Sequence, residues 1–146
     1  MALISSSDQE RLRESFAGMT RPVNLRFFTQ TLDCETCLQT KQILDELPPL
    51  SDRITIDEVN LILEGDTAKA YGIDRAPAIA ITYEENGVAV DTRIRFLGAP
   101  AGYEFISLIQ AVLLAGGRPP QLSAESLARL AAVDKPVTMQ VFTTPT

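Results

Sequence analysis

The sequence predicts an α/β domain in which a mixed four-stranded sheet carries helices on its faces. An apolar run at Val23–Phe28 passes through a short loop into a helix-period pattern, and a second strand-and-helix unit begins at Ile54. Two further strands, at 79–83 and 93–97, are separated by the turn signal Glu84–Gly87. Two βα units followed by a hairpin and a last helix give the order β-α-β-α-β-β-α.

An extra helix is predicted before the first strand. Ser7 can cap it, Leu12 and Phe16 recur at helical spacing, and the Thr20–Pro22 segment ends it.

The helix after the first strand is predicted from apolar residues that recur at spacings near 3.6. These residues are Leu38, Ile43, Leu44 and Leu47. The helix ends at Pro48-Pro49, because proline cannot continue the hydrogen-bonding pattern. Ile54–Val59 alternates and is rich in β-branched residues, so we expect the second strand there.

The second half of the domain is predicted from shorter signals. Glu64–Tyr71 is a short helix that Gly72 ends. Ile79–Tyr83 and Arg93–Leu97 are the two antiparallel strands of the hairpin. Ala101–Ala115 is the last amphipathic helix of the domain.

The end of the chain repeats the start of the domain. Lys135–Thr143 matches Arg21–Thr29 at an offset of 114 without a gap, and a helical pattern at Ser126–Val133 precedes the second copy. We therefore expect a domain at 1–117, followed at 118–146 by a linker, a helix and the first strand of an incomplete second unit.

The repeated strand, Pro136–Thr143, has no sheet of its own. An unpaired apolar strand tends to add to an exposed sheet edge. We expect it to pair with an edge in this chain or in a second copy, which would give a homodimer through the C-terminal strand.

The two cysteines of the chain form a C-x-x-C motif, Cys34-Glu35-Thr36-Cys37, where the first strand passes into its helix. The first turn of a helix has unpaired N–H groups and a positive partial charge, both of which stabilise a thiolate. Cys34 can then attack a disulfide, and Cys37, one turn later, can resolve the mixed disulfide. The ring that the pair closes is small and is worth only about 2 kcal/mol in the loop-closure description.

Other uses of two cysteines are weighed beside redox chemistry. A zinc site needs four ligands, and the chain has no histidine and no third cysteine. A Cu(I) site needs only two thiolates, so a copper carrier stays open. Two inert, buried thiols are a third alternative. Redox chemistry is the favoured interpretation.

The composition of the chain limits the classes of partner that it can bind. The net charge is −6 and the pI is near 4.6, which argues against nucleic acid and against anionic membranes. No apolar stretch is long enough to cross a bilayer. Two cysteines in an otherwise cysteine-free chain favour the cytoplasm. No nucleotide or flavin motif is present, so we expect no bound cofactor and an external thiol or flavoprotein reductase as electron source.

Pro77 opens the third strand within Ile73–Ala78. A proline cannot donate to a sheet, and an X-Pro bond can be either cis or trans, so its role stays open from position alone.

Strand, C-x-x-C and helix, followed by Ala-Pro before a β-hairpin, resemble the thioredoxin fold over residues 23–115. Within it, IDRAPA at Ile73–Ala78 and FLGAPAGYEF at Phe96–Phe105 resemble the N-terminal unit of the protein disulfide oxidoreductases of thermophiles. Those proteins are tandem pairs of glutaredoxin-like units. The resemblance implies an oxidoreductase that acts on protein or small-molecule disulfides.

The resemblance also implies residue roles. Cys34 matches the exposed attacking cysteine, Cys37 the buried resolving cysteine and Pro77 a cis-proline beside the disulfide. Ala76 matches the residue whose backbone pairs with an extended substrate.

The dipeptide between the cysteines, Glu35-Thr36, matches the positions that tune the potential and face the substrate. A carboxylate beside Cys34 disfavours its thiolate. Thioredoxins bury an acid in the strand before the motif, whereas this strand has none. Glu35, Asp33, Asp57 and Glu58 are the candidates for the proton relay. A docking unit with weak redox activity, paired with a second catalytic unit, is the alternative function beside the copper carrier.

Overall fold

The computed structural model describes residues 2–144. The helices are α1 (Ser6–Ala17), α2 (Cys37–Asp45), α3 (Gly65–Ala70), α4 (Tyr103–Ala115) and α5 (Ala124–Ala131), with a 3₁₀ turn at Pro48–Leu50. The strands are β1 (Val23–Thr29), β2 (Ile54–Asn60), β3 (Ala78–Glu85) and β4 (Val88–Leu97). The predicted order β-α-β-α-β-β-α with a preceding helix is confirmed.

The sheet has the strand order β2-β1-β3-β4. β1 runs parallel to β2 and antiparallel to β3, and β3 runs antiparallel to β4. Phe28 near the end of β1 lies opposite Ala78 at the start of β3. The loop that leads to Cys34 and the segment that contains Pro77 therefore leave the sheet at the same end.

Both faces of the sheet are covered by helices. Successive residues of β1 point to opposite sides, so the strand contributes to the core on each face. Phe27 belongs to the larger core cluster, which also includes Phe16, Leu44 and Leu108 from α1, α2 and α4. Phe28 belongs to the smaller cluster, which includes Ala68 of α3. The helix α2 that follows the C-x-x-C motif is thus held on the larger core.

The starts of α1 and β4 differ from the prediction. Ser5, not Ser7, caps α1, because the Ser5 hydroxyl accepts a hydrogen bond from the Asp8 N–H at 3.2 Å. β4 begins at Val88, five residues before the predicted start, since Asn86 and Gly87 both adopt positive φ and make a tight two-residue turn. A bulge at Arg93, with φ 64°, lies within β4 and shifts its register against β3.

The predicted strand at Pro136–Thr143 is wrong for the single chain. Residues 136–144 have no regular secondary structure and are exposed, although α5 forms before them. A strand requires a neighbouring strand to pair with, and the described residues place none beside this segment. The Thr143 hydroxyl instead donates to Glu104 Oε1 at 2.6 Å. The division at 117 stays a prediction.

Among the described residues, no helix has the length and apolar character needed to cross a membrane.

A partly buried ion pair supports the bulged part of β4. Arg95 Nη2 donates to Asp91 Oδ2 at 2.7 Å and Arg95 Nη1 donates to Asp91 Oδ1 at 2.8 Å. The Arg95 hydrogen bonds lower the pKa of Asp91, against a smaller opposing effect of burial.

We predict a pH-dependent loss for Asp91→Asn. A carboxyl whose pKa is lowered on folding adds stability above its ordinary pKa and loses it as the pH falls through the lowered value. The variant should lose about 0.5 kcal/mol at neutral pH, a figure discounted for partial exposure. Urea unfolding at pH 7 and in strong acid measures this, with Asp52→Asn as control. A gap that persists once Asp91 is protonated would contradict the assignment.

Candidate active site

The loop between β1 and the C-x-x-C motif is held by one side chain. Gln30 Nε2 donates to the carbonyl oxygens of Leu32 at 2.9 Å and Asp33 at 3.3 Å. Asp33 has φ 56°, a left-handed conformation that turns the chain toward α2. This role of Gln30 was not predicted from the sequence, although an amide directly after a strand and before a short loop is a signal for it.

The cysteines lie where the sequence predicts them. Cys37 is the first residue of α2, and Cys34 precedes the helix by three positions. Their sulfur atoms form a disulfide, with the two Cα atoms 5.5 Å apart. Cys37 is buried, with 6% of its surface exposed, whereas Cys34 is only partly buried. A partner molecule can therefore approach Cys34 more easily than Cys37.

The start of α2 leaves backbone donors available. Thr36 is the N-cap residue, and its side chain makes no capping hydrogen bond. The Thr36 carbonyl accepts from the Thr40 N–H at 2.9 Å and from the Thr40 hydroxyl at 2.8 Å. The orphan N–H groups of the first turn lie beside the disulfide and can stabilise a Cys34 thiolate after reduction.

An open groove of about 480 Å³ runs past both cysteines. Its lining comes from the end of β1, from α2 and from the end of β2. The residues are Thr29, Gln30, Thr31, Cys34, Cys37, Leu38, Lys41, Glu58, Asn60 and Glu64.

An ion-pair network crosses this groove. Lys41 Nζ lies 3.1 Å from Glu58 Oε2 and 3.2 Å from Asp45 Oδ2. The hydrogen bond from Lys41 to Glu58, followed by that to Asp45, raises the pKa of Lys41. All three side chains are about half exposed, so the network adds little stability. As a consequence, the Lys41 ammonium group stays charged and remains paired with Glu58 and Asp45.

Of the four acids considered for a proton relay, only Glu58 is among the groove-lining residues. Its register explains this: Glu58 pairs with Phe27, so it lies on the α2 face of the sheet, whereas Asp57 pairs with Arg26 on the α3 face. The Arg26 guanidinium lies 5.0 Å from the centre of the Tyr71 ring.

The Ala76–Pro77 peptide bond is cis. Pro77 is buried, and its carbonyl oxygen accepts a hydrogen bond from the Gly98 N–H at 2.9 Å, which fixes it at the start of β3. Ala76 is partly buried, and within residues 2–144 no hydrogen bond uses its backbone N–H or C=O. Glu35 and Thr36 are exposed, and like Ala76 and Pro77 they lie outside the groove lining.

Within residues 2–144, no group of three or more histidine, cysteine, aspartate or glutamate side chains is arranged to hold a metal ion.

Comparison with known proteins gives the same picture. No protein-family description matches the chain. A probable thioredoxin from Methanothermobacter thermautotrophicus is 32% identical over 88 residues, which are 60% of this chain and 92% of that protein. The F subunit of the alkyl hydroperoxide reductase of Escherichia coli is 28% identical over 133 residues, which are 90% of this chain and 22% of that protein. The chain thus spans about a fifth of that longer relative.

Two solved structures have a similar fold. The NTD_N/C domain of the alkylhydroperoxide reductase AhpF of Enterococcus faecalis superposes with a TM-score of 0.80 at 28% identity, covering 90% of this chain and 62% of that one. A protein disulfide oxidoreductase from Aeropyrum pernix gives 0.73 at 21% identity, covering 88% and 54%.

Fold, disulfide and relatives together define an oxidoreductase of thioredoxin type. Because the chain is 32% identical to the probable thioredoxin and covers nearly all of it, the chain belongs to the thioredoxin family.

We predict that reduction of the disulfide leaves the domain folded. The bond closes a ring of only four residues, so it contributes about 2 kcal/mol by loop closure. Urea unfolding with and without dithiothreitol should show a decrease of no more than this size. The Cys34→Ser/Cys37→Ser double variant, which cannot form the bond, is the control and should match the reduced protein. If dithiothreitol unfolded the domain without urea, the disulfide would be required for folding, which would contradict this prediction.

Proposed function

We propose that Cys34 and Cys37 form the catalytic dithiol and that Cys34 is the nucleophile. The difference in exposure carries the proposal: both cysteines line the groove, but Cys34 is partly exposed, whereas Cys37 is buried at the start of α2. A buried thiol can reach its neighbour but not a large partner, which suits the resolving role.

The proposed reaction transfers two electrons. The Cys34 thiolate attacks one sulfur of a substrate disulfide, forms a mixed disulfide and releases the first substrate thiolate. Cys37, as its thiolate, then attacks Cys34 Sγ, closes the Cys34–Cys37 bond and releases the second thiolate. Two protons from the dithiol end on the released thiols. An external thiol or flavoprotein reductase returns the electrons, and the protein needs no bound cofactor in this scheme.

The segment before β3 is the proposed binding site for the substrate backbone. Ala76 offers a backbone N–H and C=O at the sheet end that the cysteines occupy, and an extended chain can pair with them as an added strand. The buried Pro77 holds this segment in place. Glu35 and Thr36, exposed between the cysteines, would contact the substrate on the other side.

We predict that the reduced protein accelerates insulin reduction by dithiothreitol and that Cys34→Ser abolishes the effect, because the attacking atom is removed. Cys37→Ser should retain attack but not release, so a mixed disulfide on Cys34 accumulates and is seen by mass spectrometry. Ser51→Ala, which changes a serine directly after the 3₁₀ turn, is the control and should keep the activity of the unaltered protein. Persistent turnover in Cys34→Ser would overturn the assignment of the nucleophile.

A second candidate is an electron-transfer or docking unit of a larger reductase. The similarity to the F subunit of alkyl hydroperoxide reductase favours this candidate, because the matching part is only 22% of that subunit. In this case 1–117 and 118–146 belong to a tandem arrangement. The chain should then reduce free disulfides slowly but accept electrons rapidly from a flavoprotein reductase. Stopped-flow measurement of both rates separates the two candidates, and fast turnover with free disulfides argues against the second.

Three other expectations remain proposals. A cytoplasmic location fits a chain whose two cysteines are both used in the redox motif. A homodimer through residues 136–144 would cover the exposed Val137, Met139 and Val141. Cu(I) binding by the reduced cysteines is the third, since two thiolates are enough to hold this ion.

A further inference from the structure

Carboxylates are dense around the redox groove. Glu58 and Glu64 line it together with Cys34. Asp33 and Glu35 are exposed on either side of Cys34 in the chain. The Glu64 carboxylate is fixed in place, because its Oε2 accepts a hydrogen bond from the Asn60 N–H at 2.8 Å.

Two cations at the site, Lys41 and Arg75, are paired with carboxylates. Lys41, the cation among the groove-lining residues, is shared between Glu58 and Asp45. Arg75, next to Ala76, has its Nε 2.8 Å from Asp74 Oδ1. A substrate that enters the groove therefore meets a negative field, and the Cys34 thiolate adds to it after reduction.

We propose that these four carboxylates (Glu58, Glu64, Asp33 and Glu35), which we call the acidic rim, select substrates by charge. The rim favours disulfides whose flanking groups are cationic or neutral, and it disfavours anionic disulfides such as oxidised glutathione. The inference rests on the proposed function of Cys34 and Cys37 and deepens it. Charges beside the groove change the encounter rate through electrostatic attraction or repulsion, and salt weakens the effect. The overall net charge of −6 acts in the same direction, so the local contribution must be separated from it by variants.

The experiment measures single-turnover oxidation of the reduced protein by three disulfides: cystamine (cationic), bis(2-hydroxyethyl) disulfide (neutral) and oxidised glutathione (anionic). Each oxidant accepts two electrons and leaves as two thiols, while the protein gains the Cys34–Cys37 bond. Reactions are quenched with acid and protein thiols are counted by mass after alkylation. Each rate is divided by that of neutral dithiothreitol with the same disulfide, which removes intrinsic differences in reactivity.

The normalised rate for cystamine should exceed that for oxidised glutathione by roughly tenfold at low salt and approach it at about 0.5 M salt. Glu64→Gln keeps the acceptor for Asn60 but removes the charge, and should lower the preference roughly twofold to threefold. Glu35→Gln should act in the same direction. Glu10→Gln, on the exposed side of α1, is the control and should leave the preference unchanged.

Three results would overturn the proposal. Equal normalised rates at low salt would show that the rim does not select charge, although reduction of the neutral disulfide would leave the oxidoreductase function intact. If Glu64→Gln and Glu35→Gln change the charge preference no more than Glu10→Gln does, the preference comes from the overall charge of the protein and not from the rim. Failure to react with the neutral disulfide would overturn the proposed function and the inference together.

Discussion

The site depends on the place where β1 passes into α2. β1 is a central strand, bonded to β2 on one side and β3 on the other, so its end is fixed. Gln30 holds the loop carbonyls, the left-handed Asp33 turns the chain, and α2 begins at Cys37. The disulfide is consequently presented at the end of the sheet with one sulfur partly accessible and the other buried. Packing of Leu44 into the larger core holds α2 against the sheet and keeps this geometry in place.

Much of this arrangement could be predicted from the sequence because it is encoded locally. The apolar run of β1, the helical spacing after Cys37 and the proline pair that ends the helix are all within one short stretch. The hairpin and the last helix carried equally local signals. The predicted position of the cysteines is confirmed for the same reason, since a strand followed by an N-terminal helical turn defines it.

The features that the sequence left open or missed depend on neighbours far along the chain. Glu58 and Glu64 complete the groove only because β2 lies parallel to β1 in a register that sets Glu58 opposite Phe27. The bulge at Arg93 shifts the register of β4 against β3, and the predicted strand began only at this residue. The segment 136–144 has the apolar pattern of β1, but a strand forms only where a partner strand offers its backbone groups.

The central claim is that Cys34 and Cys37 differ in accessibility and hence in role. A brief pulse of iodoacetamide on the reduced protein, followed by peptide mapping, tests it directly. We expect Cys34 to be labelled roughly tenfold or more in excess over Cys37, since Cys34 is partly exposed and Cys37 is buried at the start of α2. Equal labelling, or preferential labelling of Cys37, would contradict it.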